Sequence, residues 1–211
     1  MGRYARLAYT DSVRRTQEEH GSSQVGLRAL AQADLGPDRL GPDEAAFIGE
    51  RDGFYLASVS ETGWPYVQYR GGPPGFVHVV GERTLAWADV RGNRQYITTG
   101  NVRADGRVAL FFMDYAGQAR LKLFGRARTV PLDEDAGLAR RLGETRTDGR
   151  VERLVVVAAE GLNWNCSQHI TPRYSEAELA ESLGPVRERM AELQRENELL
   201  RARLAELDMP D

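Results

Sequence analysis

The stretch that decides the fold reads Phe54-Tyr-Leu-Ala-Ser-Val-Ser-Glu-Thr-Gly-Trp-Pro-Tyr-Val-Gln-Tyr-Arg70. Two β-prone runs within it flank the turn signal Glu61-Thr-Gly63, which is the pattern of an antiparallel hairpin. In the second run, Tyr66, Gln68 and Arg70 alternate and therefore share one face of the strand. A flat polar ring edge could lie against that face, although alternate polar positions also occur on strands that simply face solvent.

The same character continues along the chain, as short runs rich in aromatic and β-branched residues separated by turn signals. We predict seven such β runs: Phe54 to Val59, Pro65 to Arg70, Phe76 to Val80, Thr84 to Ala88, Val108 to Met113, Leu121 to Val130 and Leu154 to Ala159. Many short strands with tight turns favour an antiparallel barrel over alternating β-α units.

Helices are predicted before and between these runs. Asp11 to about Ala33 is polar and helix-permissive, and a second helix opens at Gly41-Pro42-Asp43-Glu44, where proline and acidic residues suit the first turn. Phe47 and Ile48 would be its buried side. A further helix is predicted near Asp133 to Leu142.

The composition narrows the class of protein. The 211 residues carry a net charge of −3, which gives no general attraction for nucleic acid or anionic lipid. The chain contains no apolar run long enough to span a membrane and its start does not resemble a signal peptide, so we expect it to stay in the cytoplasm. The single cysteine, Cys166, fits a reducing compartment. Lys122 is the only lysine and lies in a predicted strand, which disfavours Schiff-base chemistry.

The C-terminal residues have a different periodicity. Apolar residues recur at spacings of four and three, which places leucines at the d positions of a heptad and Asn197 at an a position. This pattern predicts a short parallel two-stranded coiled coil, while one amphipathic helix packed on its own domain is the alternative. We therefore divide the chain into an N-terminal helical segment (1–41), a barrel (42–174) and a C-terminal helix or coiled coil (175–211).

The stretch with the clearest chemical signal is Ala86-Trp-Ala-Asp-Val-Arg-Gly-Asn-Arg-Gln-Tyr96, which runs from a strand through a turn into a short predicted helix. Backbone N–H groups at a helix start bind phosphate, and Arg91 and Arg94 would supply charge-assisted hydrogen bonds to the same anion. Gly92 would let the backbone approach the ligand closely. Surface ion pairs between Asp89 and the arginines are the competing interpretation.

Four motifs occur in an order that resembles the pyridoxamine 5′-phosphate oxidase-like FMN-binding proteins. They span Pro65 to Phe76, Leu85 to Tyr96, Val108 to Tyr115 and Arg120 to Ala127, within a similarity that covers roughly Pro42 to Pro131. The resemblance implies a six-stranded antiparallel Greek-key split barrel. Together with the helical and heptad patterns described above, we expect a mainly β fold with N-terminal helices and a C-terminal coiled-coil helix. The resemblance also implies a homodimer with FMN at the subunit interface.

The resemblance further implies positions for the FMN contacts. Gln68 and Arg70 would lie by the ring or phosphate, and Trp87 and Ala88 would line the ring. The phosphate would be held by Arg91, Gly92, Asn93 and Arg94. Arg120 and Lys122 would approach from a neighbouring strand.

The segment Asn163 to Arg173 is similar to one found in an uncharacterised subgroup of the same proteins. Trp164 could stack on the ring, Gln168 and His169 could meet its polar edge, and Arg173 could pair with an anion. A structural turn before the C-terminal helix, capped by Ser175, is the alternative. Cys166 and His169 have the spacing of half a zinc site, but no second pair completes it.

The substrate is not indicated by the sequence. The oxidase ends in an Arg-x-His type segment that handles its substrate, whereas this chain ends in the heptad pattern, so we do not expect it to oxidise pyridoxamine phosphate. The pattern favours an FMN-dependent oxidoreductase of unknown substrate. A non-catalytic protein that stores or senses a flavin or haem is the alternative, and a deazaflavin in place of FMN remains open.

Overall fold

The computed structural model describes residues 2–32, 36–165 and 168–207. The chain forms two compact units, Met1–Ile170 and Thr171–Asp211. Cys166, and with it the half zinc site considered above, lies outside the described residues. No described helix is both long enough and apolar enough to cross a lipid bilayer.

One antiparallel sheet dominates the first unit, and within the described residues it has seven strands in the order β2-β1-β5-β6-β7-β4-β3. The strands are β1 Gly53–Val59, β2 Pro65–Gly71, β3 His78–Gly81, β4 Thr84–Val90, β5 Arg107–Asp114, β6 Ala119–Val130 and β7 Val151–Asn165. All seven predicted β runs are confirmed as strands. The count of six implied by the family resemblance is one too few, because the short β3 pairs with β4 at the edge of the sheet.

The sheet curls around a core centred on Phe54 in β1. The Phe54 ring stacks on Phe112 at 4.9 Å between centroids and on Phe76 at 6.0 Å, and meets Trp87 edge-on at 5.1 Å. Trp87 lies in β4, which is four strands removed from β1 in the sheet order. Contact between such distant strands requires the sheet to bend back on itself, so the first unit is a barrel left open between its edge strands β2 and β3. Because β3 pairs only with the first residues of β4, the rest of β4 borders the opening. The predicted mainly β split barrel is confirmed.

Short helices cover the sheet. They are α1 Tyr4–Ala8, α2 Asp11–Glu19, α3 Ser23–Ala31, α4 Pro42–Gly49, α5 Ile97–Ala104 and α6 Ala136–Gly143. In α4, Ile48 is fully buried, as the sequence predicted, whereas Phe47 is only partly buried. The Glu44 carboxylate also accepts the Gly41 N–H at 2.9 Å. The Asp38 carboxylate accepts the N–H groups of Arg3 and Leu162, both at 2.8 Å, and so joins the N-terminal helices to β7.

The second unit consists of α7 Glu176–Ser182 and α8 Gly184–Leu207. The cap at Ser175, which belonged to the alternative interpretation of Asn163 to Arg173, is present: Ser175 Oγ accepts the Glu178 N–H at 3.2 Å and the Glu178 carboxylate accepts the Ser175 N–H at 2.7 Å. The coiled coil itself remains a prediction.

Candidate functional site

A cleft opens where the barrel is split, between the inner face of β2 and the ends of β4 and β7. It encloses about 150 Å³. Its walls come from β2, from the loop between β4 and α5, from the first turn of α5 and from the start of β7. The residues that line it include Tyr66, Gln68, Arg70, Asp89, Gly92, Asn93, Arg94, Tyr96, Thr98, Thr99, Glu152 and Arg153.

Asp89 lies at the bottom of the cleft and pairs with arginines from both walls. Its side chain is only 6% exposed, and its carboxylate lies 3.3 Å from Arg70 and 3.0 Å from Arg153. Arg153 also pairs with Glu152 at 2.6 Å and donates to Thr99 Oγ1 at 3.3 Å. Because Arg70 belongs to β2 and Arg153 to β7, this network joins the two sides of the split.

The loop between β4 and α5 has a tightly constrained backbone. Arg94 and Tyr96 both have positive φ angles, 65° and 54°, which side-chain-bearing residues rarely adopt. Asn93 Oδ1 accepts the Gln95 N–H at 3.1 Å. The Tyr96 hydroxyl contacts the Glu152 carboxylate, and Arg153 lies 4.9 Å above the Tyr96 ring. These contacts hold an unfavourable conformation in place, as expected of a preorganised binding loop.

The first turn of α5 faces the same cleft. No side chain caps this helix start, so its first N–H groups keep the capacity to bind an anion. Thr98 Oγ1 donates to Gln68 Oε1 at 2.9 Å, which ties the helix start to β2. A Cβ atom built onto Gly92 would have no other atom within 4 Å. The backbone at Gly92 is therefore open to a ligand.

The charges around the cleft favour an anion. Among the described residues, five arginines lie in or beside it against three carboxylates: Arg70, Arg91, Arg94, Arg146 and Arg153, with Asp89, Asp148 and Glu152. This local excess of positive charge contrasts with the net charge of −3 of the whole chain. An anion in this cleft would therefore meet a favourable local charge, although the whole chain is acidic.

Arg70 has a buried N–H group without a partner in the described part of the chain, as do Trp87, Arg120 and Arg146. The Arg70 Nε is buried and donates to no acceptor among the described residues. Buried guanidinium N–H groups are normally hydrogen-bonded, so an acceptor on a ligand in the cleft would satisfy it.

The predicted site residues divide into several groups. Gln68, Arg70, Gly92, Asn93 and Arg94 come together in the cleft. Arg91 lies beside it, 3.6 Å from Glu152.

Trp87 and Ala88 precede the loop but are 1% and 0% exposed, with side chains in the core. Neither residue offers more than about 1% of its surface to solvent, and neither lines the cleft.

Arg120 and Lys122 lie on the opposite face of the sheet. Leu121 and Leu123 point into the core, so the residues between and beside them point outwards. Lys122 borders an apolar depression on the outer face. Burial, and secondarily the neighbouring Arg120, lowers the pKa of the Lys122 ammonium. The structure does not bring this pair to the cleft of the same protomer.

The last group of predicted residues lies at the end of β7 and after it. Trp164 donates its Nε1–H to Glu44 at 2.7 Å and meets Phe47 edge-on at 4.7 Å, so it packs on α4. Gln168 and His169 are exposed in a turn, and His169 has a φ of 64°. Arg173 belongs to the second unit. The described residues contain no group of three or more His, Cys, Asp or Glu side chains arranged for a metal ion.

Sequence reasoning missed several residues of the cleft. Thr98 and Thr99 follow directly after the quoted loop, and extending the helix-start argument by one turn would have included them. Glu152 and Arg153 are distant in sequence and carry no motif. Only the pairing of β7 with β4, which sets Asp89 opposite Arg153, brings them to the cleft.

Comparison with known proteins agrees with this architecture. The family model described as pyridoxamine 5′-phosphate oxidase matches residues 40–164, which is more than half of the chain. No curated protein matches.

The chain is also similar to solved structures of three proteins of low sequence identity. HupZ from Group A Streptococcus is 13% identical, with 64% of this chain and 98% of that chain covered and a TM-score of 0.49. A candidate pyridoxamine 5′-phosphate oxidase from Lactobacillus delbrueckii is 19% identical, with 61% and 97% covered and a TM-score of 0.47. An FMN-binding protein from Syntrophomonas wolfei is 9% identical, with 57% and 81% covered and a TM-score of 0.45. The family assignment itself depends on the sequence match: the chain belongs to the pyridoxamine 5′-phosphate oxidase family.

Proposed function

We propose that the protein binds FMN in the cleft between β2 and β4 and acts as a flavin-dependent oxidoreductase on a substrate other than pyridoxamine phosphate. The observation that carries this proposal is the convergence of Arg70, Gly92 and Arg94 with the uncapped start of α5 on one cleft. A phosphate monoester suits this set, because it accepts charge-assisted hydrogen bonds from arginine and from backbone N–H groups together.

The residues fit FMN in two further respects. The unpartnered Arg70 Nε needs an acceptor, which either a phosphate oxygen or a flavin carbonyl provides. Gln68 and Tyr66 extend the polar face of β2 beyond Arg70, where a flat heteroaromatic edge finds hydrogen-bonding partners. When bound, FMN would supply the hydride chemistry, and the protein would bind, orient and shield it.

A second copy of the chain is needed to complete the site. The cleft of one protomer encloses about 150 Å³, whereas pockets for ligands of this size usually measure about 300–1,000 Å³. Arg120 and Lys122 lie on the other face of the sheet, so they and Arg70 can contact one FMN only from two protomers. We therefore propose a homodimer with FMN at the interface.

The outer face of the sheet is the surface proposed for this dimer. Two cross-strand rows of apolar side chains run over β2, β1, β5 and β6: Tyr69, Tyr55 and Phe111 in one, and Val67, Ala57, Ala109 and Phe124 in the other. Val67 is 59% exposed and Tyr69 is 55% exposed. A contiguous apolar face with Lys122 at its border is typical of a protein–protein interface.

The test is FMN titration of the purified full chain, followed by flavin fluorescence and by visible absorption. Arg94→Ala should weaken binding by about tenfold to a hundredfold, the loss of one charge-assisted contact to phosphate. Arg103→Ala is the matched control, since Arg103 is an exposed arginine in the last turn of α5, away from the cleft. Equal affinity of both variants for FMN would contradict the phosphate assignment.

Catalysis is tested separately from binding. Mixing the FMN-loaded protein with reduced nicotinamides and following loss of flavin absorption should show reduction, and reoxidation by an added acceptor should complete a turnover. Bound flavin that no donor reduces would favour the storage or sensor alternative. Parallel loading with a deazaflavin and with haem identifies the preferred cofactor. We further propose a cytoplasmic location, which the single cysteine favours.

A further inference from the structure

Helix α8 carries an exposed apolar stripe. Val186, Met190, Leu193, Leu200 and Leu204 are between 47% and 60% exposed. They recur at spacings of four and three along Gly184–Leu207, with Asn197 in the same stripe. Such a stripe at heptad spacing is the seam of a coiled coil.

The heptad register follows from the stripe. Met190, Asn197 and Leu204 occupy a positions, and Val186, Leu193 and Leu200 occupy d positions. The flanking e and g positions then decide how a second helix can pair with this one, because charges there face each other across the seam. The e residues are Arg187, Gln194 and Arg201, and the g residues are Arg189, Glu196 and Arg203.

A parallel, in-register pair of α8 helices places each g residue opposite the e residue five positions later in the partner. Glu196 then faces Arg201 of the second copy, and Arg189 faces Gln194 of the second copy. These g–e pairs between the two helices therefore bring no like charges together. Asn197 faces its own counterpart, and two amides can hydrogen-bond to each other.

An antiparallel pair that overlaps the whole helix has the opposite balance. There g residues face g residues and e residues face e residues, which brings Glu196 against Glu196, Arg189 against Arg203 and Arg187 against Arg201. Asn197 would face Leu193, leaving its amide without a partner. Like-charge contacts of this kind disfavour the arrangement.

From this charge pattern we infer that α8 joins two copies of the chain as a parallel, in-register coiled coil, with Glu196 of each copy paired with Arg201 of the other. This interface uses none of the residues assigned to the cleft or to the outer face of the sheet. It does not depend on FMN binding.

The first test is disulfide formation in the full chain with Cys166→Ser as the background. Leu200→Cys places a thiol at a d position, where the two copies of a parallel pair lie side by side. Ala202→Cys, at an f position on the far side of the helix, is the matched control. Because a disulfide requires its Cα atoms within about 7 Å, mild oxidation should cross-link Leu200→Cys at least about tenfold faster than Ala202→Cys. Equal rates would overturn the inference.

The second test separates parallel pairing from any other self-association. Glu196→Arg alone should create an arginine–arginine contact and lower the fraction of cross-linked Leu200→Cys. Adding Arg201→Glu to the same chain reverses both charges and should restore cross-linking to the original level. Failure of the double variant to recover, with its helix content by circular dichroism unchanged, would exclude the parallel register.

Discussion

Replacing Asp89 by Asn should lower the stability of the barrel and at the same time strengthen FMN binding. Asp89 is the only carboxylate in contact with both Arg70 and Arg153 among the described residues. Its side chain is 6% exposed, while those of the two arginines are 21% and 17% exposed. The substitution keeps the shape of the side chain and removes its charge.

The loss in the free energy of unfolding depends on the contacts that Arg70 and Arg153 keep when Asp89 is replaced. Breaking a fully buried ion pair costs about 3–5 kcal/mol, but both arginines keep some contact with solvent, and Arg153 keeps Glu152 at 2.6 Å. We therefore expect the free energy of unfolding to fall by about 2–3 kcal/mol. In urea this should lower the unfolding midpoint by about 1 M.

The assay is urea denaturation followed by circular dichroism, with Asp105→Asn as the matched control. Hydrogen bonds from Arg107 lower the pKa of Asp105 to about 2, but this pair is exposed, so solvent screens it and the midpoint should not move. FMN titration under native conditions should show Asp89→Asn binding a few-fold more tightly, since the cleft loses one negative charge. An unchanged midpoint, or weaker FMN binding by a folded variant, would refute this account of the cleft.

Three further predictions concern the barrel and its outer face. Burial, and secondarily the nearby Arg141, lowers the pKa of His78. The unfolded chain therefore binds this proton more readily than the folded chain, and the free energy of unfolding should fall as pH drops below about 6.5. His78→Gln should flatten this pH dependence, as measured by urea titrations at several pH values. Gly125→Ala should cost about 2–4 kcal/mol in the same titration, because its Cβ would lie 2.7 Å from Val157 Cγ1 and 2.8 Å from the Ala158 carbonyl oxygen. Val67→Asp on the outer face should weaken both the barrel dimer, measured by light scattering, and FMN retention, measured as bound flavin. Val25→Asp is the control, since Val25 of α3 is equally exposed, and it should change neither property.

Each of these predictions has a result that contradicts it. A pH dependence that persists in His78→Gln would assign the titration to another group. Wild-type stability of Gly125→Ala would show that the irregularity between Phe124 and Gly125 can relax. A Val67→Asp variant that keeps both its oligomeric state and its flavin would remove the outer face from the site. Because α8 offers a second contact, this experiment is best repeated in the Leu200→Glu background.

How much of the site was predictable depends on where its residues lie in the chain. Gln68 and Arg70 share a face because strand side chains alternate, and Gly92 to Arg94 lie in a turn before a helix; both features are local and were readable from the sequence. Glu152 and Arg153 reach the cleft only through strand pairing over more than fifty residues, which no local pattern encodes. The same holds for Trp87, whose position in a strand was predicted correctly while its burial against Phe54 depends on the curl of the sheet.

The sequence by itself determined the seven strands, the start of α4 and the heptad stripe of α8, because periodicity, turn residues and helix-start signals act over a few neighbouring residues. Only the tertiary structure decided that the barrel is open between its edge strands β2 and β3, that Asp89 holds arginines from both sides of this opening, and that Arg120 and Lys122 face away from the cleft. These features depend on strand order and register, which are set by the packing of the whole core around Phe54. The alternation of a strand fixes locally which face a side chain lies on, but only the tertiary packing determines which residues that face contacts.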